Sequence, residues 1–148
     1  GIGTTKGVDA NLDALSTEGN LSWHTDLARK VSAQTGAVIV ISGPIDIVAD
    51  SHEAWAIRNG HPMMANITGT GCMSAGVIGC CAGADPQALL PSCVCAMSAM
   101  GICGELAYEK LLSVDGGSGT YRVLLMDAMS KLDGTTLTHR SKAERLRI

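Results

Sequence analysis

Val38-Ile39-Val40-Ile41 is an unbroken run of β-branched residues between Gly36 and the pair Gly43-Pro44. A strand without polar alternation must be covered on both faces, and such strands belong mainly to parallel sheets sandwiched by helices. The run predicts an α/β chain with a mostly parallel sheet. Just before it, Trp23, Leu27 and Val31 recur every four residues between Ser22, placed as an N-cap, and Gly36, placed as a stop. That spacing predicts a surface helix over 22–35 packed along the Trp-Leu-Val stripe. Just after the run, residues 45–48 and 53–57 flank Asp50-Ser51-His52 and predict a short antiparallel hairpin at the sheet's edge.

The second half reads as helical. Gly69-Thr70-Gly71-Cys72 opens a helix with Met73, Val77, Cys80, Cys81 and Ala84 on its buried side, and with Gly76, Gly79 and Gly83 admitting a close neighbour. Asp85-Pro86 predicts a restart with Asp as N-cap. The helix it opens, bent near Pro91, is apolar on nearly all sides through Val94, Met97, Met100, Ile102 and Leu106 to Leu111, which marks the central buried helix. Gly116-Gly117-Ser118-Gly119 ends it, and Tyr121, Leu125, Ala128 and Leu132 form a further amphipathic stripe. Residues 1–21 read as a polar loop around Lys6-Gly7-Val8-Asp9. The basic tail, with Arg140, Lys142, Arg145 and Arg147 around Glu144, reads as a solvated face.

A length of 148 residues suits one domain, and 46% hydrophobic content with only 3% aromatics and no Phe predicts a core of small and aliphatic side chains. A net charge of −3 offers no basic surplus for a phosphate backbone, so nucleic acid is not an expected partner. The longest weakly polar stretch, residues 73–84, is interrupted by glycines and falls short of the roughly 20 residues that span a bilayer, so no membrane span is expected. All 6 Cys lie in one apolar third of the sequence, from Cys72 to Cys103, which predicts reduced, buried thiols in a cytoplasmic protein. The chain opens at Gly1 without Met, which suggests a fragment.

Thr68-Gly69-Thr70-Gly71-Cys72 is the sharpest chemical feature. Glycines let successive backbone N–H groups converge, and a helix N-terminus adds unpaired donors and partial positive charge, so a phosphate would be stabilised there. A tight structural turn fits the same residues equally well. Cys72, in the first turn, stands where a general base would sit beside such an anion site, although a packed thiol is the simpler reading. Ser42-Gly43-Pro44-Ile45-Asp46 follows the buried strand, at the edge where open α/β sheets place ligands: Ser42 could donate to a phosphate and Asp46 could accept from a ribose, or both could bond the local backbone. The Cys80-Cys81 and Cys93-Val94-Cys95 pairs lack metal-ligand spacing, so no metal site is expected in them. His61, before Pro62, keeps a Cys72–His61 nucleophilic pair open; loop polarity suits it better, and solvated surface suits His24, His52 and His139.

Lys6-Gly7-Val8-Asp9, Val38-Ile39-Val40-Ile41-Ser42-Gly43 with Asp46, Arg58-Asn59-Gly60-His61-Pro62, Thr68-Gly69-Thr70-Gly71-Cys72 and Gly117-Ser118-Gly119-Thr120-Tyr121 occur in an order that resembles the hydroxyethylthiazole kinase family of the ribokinase-like superfamily. The resemblance runs from residue 6 to about residue 132. It implies part of a ribokinase-like three-layer α/β/α fold, with a helix-rich C-terminal half, and transfer of the γ-phosphoryl of ATP, with Mg²⁺, to the hydroxyl of 4-methyl-5-(2-hydroxyethyl)thiazole in thiamin salvage. It further implies that Cys72 occupies the general-base position, that Ser42 contacts ATP, that Gly69 contacts the thiazole, and that the backbone of Gly69, Thr70 and Gly71 forms the anion hole. Family members are longer, so the missing N-terminal half would carry the Mg²⁺ carboxylates and more of the pocket, and this chain is expected to be inactive alone. The resemblance implies a homotrimer for the full-length protein. The alternatives are a related kinase for hydroxymethylpyrimidine or a sugar, a Cys-dependent hydrolase or transferase, and a non-catalytic binding module.

Overall fold

The computed structural model describes residues 18–147 of the chain, and Lys6-Gly7-Val8-Asp9 lies outside the described residues. A 3-10 turn over Glu18–Asn20 leads into helix α1 (Leu21–Thr35), which starts from Asn20 rather than Ser22. Gly36 ends it as predicted, in the left-handed conformation (φ 73°), donating its N–H to the Ser32 carbonyl at 2.7 Å. The packed stripe is not the predicted one. His24, Thr25, Ala28 and Ser32 are buried, while Trp23 is 56% exposed. Small residues let α1 lie close on the sheet, where Ala28 meets Ile47, Ala49 and Ala54.

Three strands follow as a meander, β1 (Ile39–Ile41), β2 (Asp46–Ala49) and β3 (Ala54–Ile57), and β4 (Ala143–Arg145) adds to β3 from the far end of the chain. The order is β1-β2-β3-β4 and every pair is antiparallel, which corrects the expectation of a mostly parallel sheet. Only residues 42–45 join β1 to β2, too few for the crossover of about a dozen residues that parallel strands need. The hairpin over 46–57 matches the sequence reading, with Val48 opposite Trp55, but its strands are the two central ones and not the sheet's edge, because β1 and β4 pair outside them. Covered faces are also present, but on different strands: β2 is buried throughout, whereas β1, the run that suggested such burial, is a half-buried edge. A hydrophobic run reports coverage, not strand direction.

Coverage comes from α1 on one face and from helix α3 (Leu89–Leu111) on the other, where Leu90, Cys93 and Met97 pack on Val48 and Ile57. The layers are therefore α/β/α. Ile47, Val48 and Ile57 are fully buried, each contributing roughly 1.5–3 kcal/mol through lost apolar exposure. Helix α3 starts at Leu89 from Ala88, not at Asp85-Pro86, and Pro91 sits in its first turn, where a missing N–H breaks no helical bond. It also packs between helix α2 (Thr70–Ala84) and helix α4 (Ser118–Lys131). By length and composition α3 could cross a membrane, with mean hydropathy 1.5 over its apolar window, a feature the sequence reading passed over; 61% of that window is buried inside this fold.

The predicted α4 stripe is present: Tyr121 and Leu125 pack on Met100, Cys103 and Ala107 of α3, and the Tyr121 hydroxyl donates to the Gly104 carbonyl at 2.9 Å. The tail is a solvated face, as read, but one built on regular elements. Asp133 caps helix α5 (Gly134–Arg140) by accepting from Thr136 N–H at 2.7 Å, and β4 follows. Three of its charges are paired: Arg140 with Glu109 at 2.7 Å, Lys142 with Glu105 at 3.0 Å and Arg145 with Glu53 at 2.7 Å.

Candidate active site

A cavity of about 560 Å³ opens where the β1–β2 turn, the loop after β3, the start of α2 and the middle of α3 converge. That volume lies within the usual range for small-molecule sites. Ser42, Gly43 and Pro44 form one wall, Thr70, Gly71 and Ser74 another, and Met97, Met100 and Gly101 of α3 line a third. Gly69 and Cys72 are not among the lining residues.

Helix α2 begins from Gly69, whose φ of 97° suits glycine alone. The first intrahelical bond runs from Met73 N–H to the Gly69 carbonyl at 2.9 Å, so the N–H groups of Thr70, Gly71 and Cys72 precede the helical ladder. They are donors turned toward the cavity end of the helix, with the helix dipole behind them. Cys72 is exposed on this first turn. The expectation of six buried thiols is corrected: only Cys93 and Cys103 are buried, Cys81 is half-buried, and Cys72, Cys80 and Cys95 are exposed. On α2 this follows from contacts on one side only, since no residue of the helix is buried and nothing lies within 4 Å of a Cβ placed on Gly76, Gly79 or Gly83. Those glycines meet no close neighbour within the described residues.

Asp46, the first residue of β2, reaches the cavity from below the Ser42 turn and accepts the Gly43 N–H on Oδ1 at 2.9 Å. The local-backbone reading of Asp46 holds, since the carboxylate bonds the turn, and the residue also lines the cavity. Burial pushes its pKa up to about 6, against the lowering effect of the Gly43 bond.

Sequence reasoning missed the polar floor. The loop Arg58-Asn59-Gly60-His61-Pro62 is laid across α3 by Asn59, which is buried, donates Nδ2 to Glu105 Oε1 at 3.2 Å and to the Arg140 carbonyl at 2.9 Å, and accepts the Lys142 N–H at 2.7 Å. Gly60 N–H also donates to Glu105, at 3.0 Å. The close approach is possible because α3 has glycine at 101: a Cβ there would stand 2.6 Å from the Asn59 backbone carbon. A Cβ on Gly104 would instead strike the Met64 sulfur. The G-x-x-G spacing along α3 was the available signal, and it points to a backbone crossing.

His61 is not loop polarity. Its ring stacks on Tyr108 with centroids 3.6 Å apart, and Nδ1 accepts the Met63 N–H at 3.1 Å. Those contacts hold the ring on the cavity wall, which Cys72 does not line, and among the described residues no hydrogen bond joins the two, so the structure does not show the nucleophilic pair assembled. His24 is likewise buried in α1, with Nδ1 3.2 Å from the Asn20 carbonyl oxygen, and not at the surface. Among the described residues, no group of three or more His, Cys, Asp or Glu side chains is arranged to hold a metal ion.

The chain is similar to other proteins over most of its length. The hydroxyethylthiazole kinase of Desulfovibrio desulfuricans is 50% identical over 150 residues, covering 97% of this chain and 53% of that protein. The hydroxyethylthiazole kinase of Clostridium acetobutylicum is 41% identical over 144 residues, covering 97% of this chain and 52% of that protein. The chain thus spans about half the length of the curated relatives it matches. A solved structure of the hydroxyethylthiazole kinase protein from Pyrococcus horikoshii OT3 superimposes with a TM-score of 0.74 over 88% of this chain and 49% of that one, at 23% identity, which supports the fold. A family model matches residues 2–135, which include the Ser42 turn, the Asn59 loop and the open first turn of α2, and the chain belongs to the Hydroxyethylthiazole kinase family.

Proposed function

We propose that this chain forms the phosphate-handling side of a kinase that transfers the γ-phosphoryl of ATP to the primary hydroxyl of 4-methyl-5-(2-hydroxyethyl)thiazole. The carrying observation is the start of α2, where the N–H groups of Thr70, Gly71 and Cys72 precede the first helical bond beside a cavity walled by Ser42. Phosphoryl transfer depends on positioning and on stabilising charge, and an array of fixed N–H donors at a helix N-terminus supplies both. In this reading Ser42 donates to an ATP phosphate, the backbone of Gly69, Thr70 and Gly71 stabilises the charge on the transferred group, and Gly69 also touches the thiazole. Cys72 takes the proton from the attacking hydroxyl as its oxygen bonds to the γ-phosphorus and ADP leaves. The described residues offer no cluster suited to Mg²⁺, so no step is drawn through the metal. The uncovered apolar surface of α2 supports an active form larger than the described residues, in keeping with a homotrimer of family-length chains acting where ATP is found, in the cytoplasm.

A chimera tests the reading. These 148 residues, exchanged for the matching half of the Desulfovibrio desulfuricans relative, should yield an ATP-dependent thiazole kinase, whereas the chain alone should show no turnover. Cys72→Asp in the chimera should keep activity, because a carboxylate also accepts a proton, while a covalent nucleophile would be lost. Phosphorylation of hydroxymethylpyrimidine or a sugar in place of the thiazole would overturn the substrate assignment, and loss of all turnover in Cys72→Asp would overturn the role of Cys72.

A further inference from the structure

Four thiols gather where the C-terminal half of α2 packs on the first turns of α3. Ile78 of α2 and Val94 of α3 rest on the apolar cluster that holds Leu90, Cys93 and Met97. Cys81, three residues beyond Ile78 on the same side of α2, is half-buried there. Cys80, Cys93 and Cys95 surround it, and it is the Cys95 thiol that shares a hydrogen bond with the Cys81 thiol. Burial first, and then the neighbouring Cys95 and Cys80, push the Cys81 thiol up. Cys80, adjacent on the same helix, points away from Cys81, and Cys93 is buried in the cluster beneath. Among the described residues these thiols do not converge in a group of three or more that could hold a metal ion. What they form is a facing pair of free thiols, Cys81 and Cys95, one from each helix.

We propose that Cys81 and Cys95 are a redox-sensitive modification site, at which a small-molecule disulfide oxidises the two thiols to a disulfide bond that ties α2 to α3. Cys95 is exposed and lines a smaller cavity, of about 300 Å³, between α3, β3 and α5, so a small solute reaches it first. Its thiolate attacks one sulfur of the oxidant, which gives a mixed disulfide on Cys95 and releases one thiolate of the oxidant. The Cys81 thiolate then attacks the Cys95 sulfur and expels the second. Two protein thiols are thereby oxidised, the oxidant's disulfide is reduced to two thiols, and the two protons pass to the released thiolates. Thiols already in hydrogen-bonding contact need little movement to bond. The link spans the connection from α2 to α3, and closing a loop of about 15 residues restricts the unfolded chain, so it stabilises the fold. Neither residue lines the cavity at the start of α2, so the link restrains that helix without entering the candidate active site.

The test treats the reduced 148-residue chain with oxidised glutathione and then blocks the remaining thiols with iodoacetamide. Trypsin leaves residues 59–110 as one peptide that holds all 6 Cys, and mild acid splits it at Asp85-Pro86, which separates Cys81 from Cys95. We expect the two halves to stay joined until a reductant is added, with no glutathione left on Cys95. Cys81→Ser should abolish the link and leave glutathione trapped on Cys95. Cys95→Ser, at an exposed position, should abolish it without unfolding the chain, and Cys80→Ser should keep it. The oxidised parent should melt about 5–10 °C above its reduced form, a shift that Cys81→Ser treated in the same way should lack. Glutathione that remains on Cys95 of the parent, a link that survives Cys81→Ser, or an oxidised parent that melts no higher than the reduced one would overturn the proposal.

Discussion

Asp46 concentrates the electrostatics of the larger cavity in one side chain. Its carboxyl holds the Ser42-Gly43 turn, and burial moves its pKa from 3.8 to about 6. The folded state therefore binds the proton more tightly than the unfolded state, so this group's contribution is complete below about pH 4 and is lost as pH rises through about 6. Asp46→Asn keeps an oxygen for the Gly43 N–H without a charge to desolvate. The variant should be more stable than the parent by on the order of 2–3 kcal/mol above pH 7 and nearly equal to it at pH 4, measured by urea unfolding at both values. A parent-variant difference independent of pH would refute the assignment. Protonation also removes a negative charge from a cavity proposed to take phosphate, so phosphate affinity should rise on the acid side of pH 6.

At the scale of elements, α3 is the scaffold on which the site is laid out. Its two glycines face different obstacles. The atoms beyond Gly101 belong to the Asn59 backbone and cannot yield, while those beyond Gly104 belong to the flexible end of Met64. Gly101→Ala should thus displace the Asn59 loop and destabilise the chain by about 2–3 kcal/mol, as overpacking does, and Gly104→Ala should do so by about 1 kcal/mol or less. Thermal unfolding of the pair decides it; equal losses would mean that the loop moves freely. The sequence carried part of this layout. The Tyr121-Leu125 stripe and the 46–57 hairpin were legible because each rests on local period and turn chemistry. Helix α1 was misread by one position, since its large residues marked the less buried side and its close packing selected small ones. The Asn59 network was illegible for another reason: Asn59 meets Glu105 across 46 positions and Lys142 across 83, and no local pattern encodes such pairings. Likewise the start of α2 was legible as a glycine-led helix N-terminus, while the burial of Asp46 and the stacking of His61 on Tyr108 depended on neighbours from other segments.

For the whole molecule, the uneven covering of its surfaces matters most. The sheet has a helix on each face, and α3 is enclosed by α2, α4 and the strands, but α2 has contacts on one side and small residues exposed on the other. Gly76, Gly79 and Gly83 have ordinary helical backbones with open space around them, so within the described residues an added methyl group meets nothing. Gly79→Ala should then stabilise the isolated chain by about 0.5–1 kcal/mol, simply by restricting the unfolded backbone and raising helix propensity, with a melting temperature some 2–5 °C higher. A lower melting temperature would show that the helix is already packed at that position. This makes the exposed side of α2 a built-in ruler for its surroundings. Each alanine that toughens the 148-residue chain yet disables the family-length chimera marks a point where another backbone rests, so paired measurements along one helix would trace the outline of that contact, position by position.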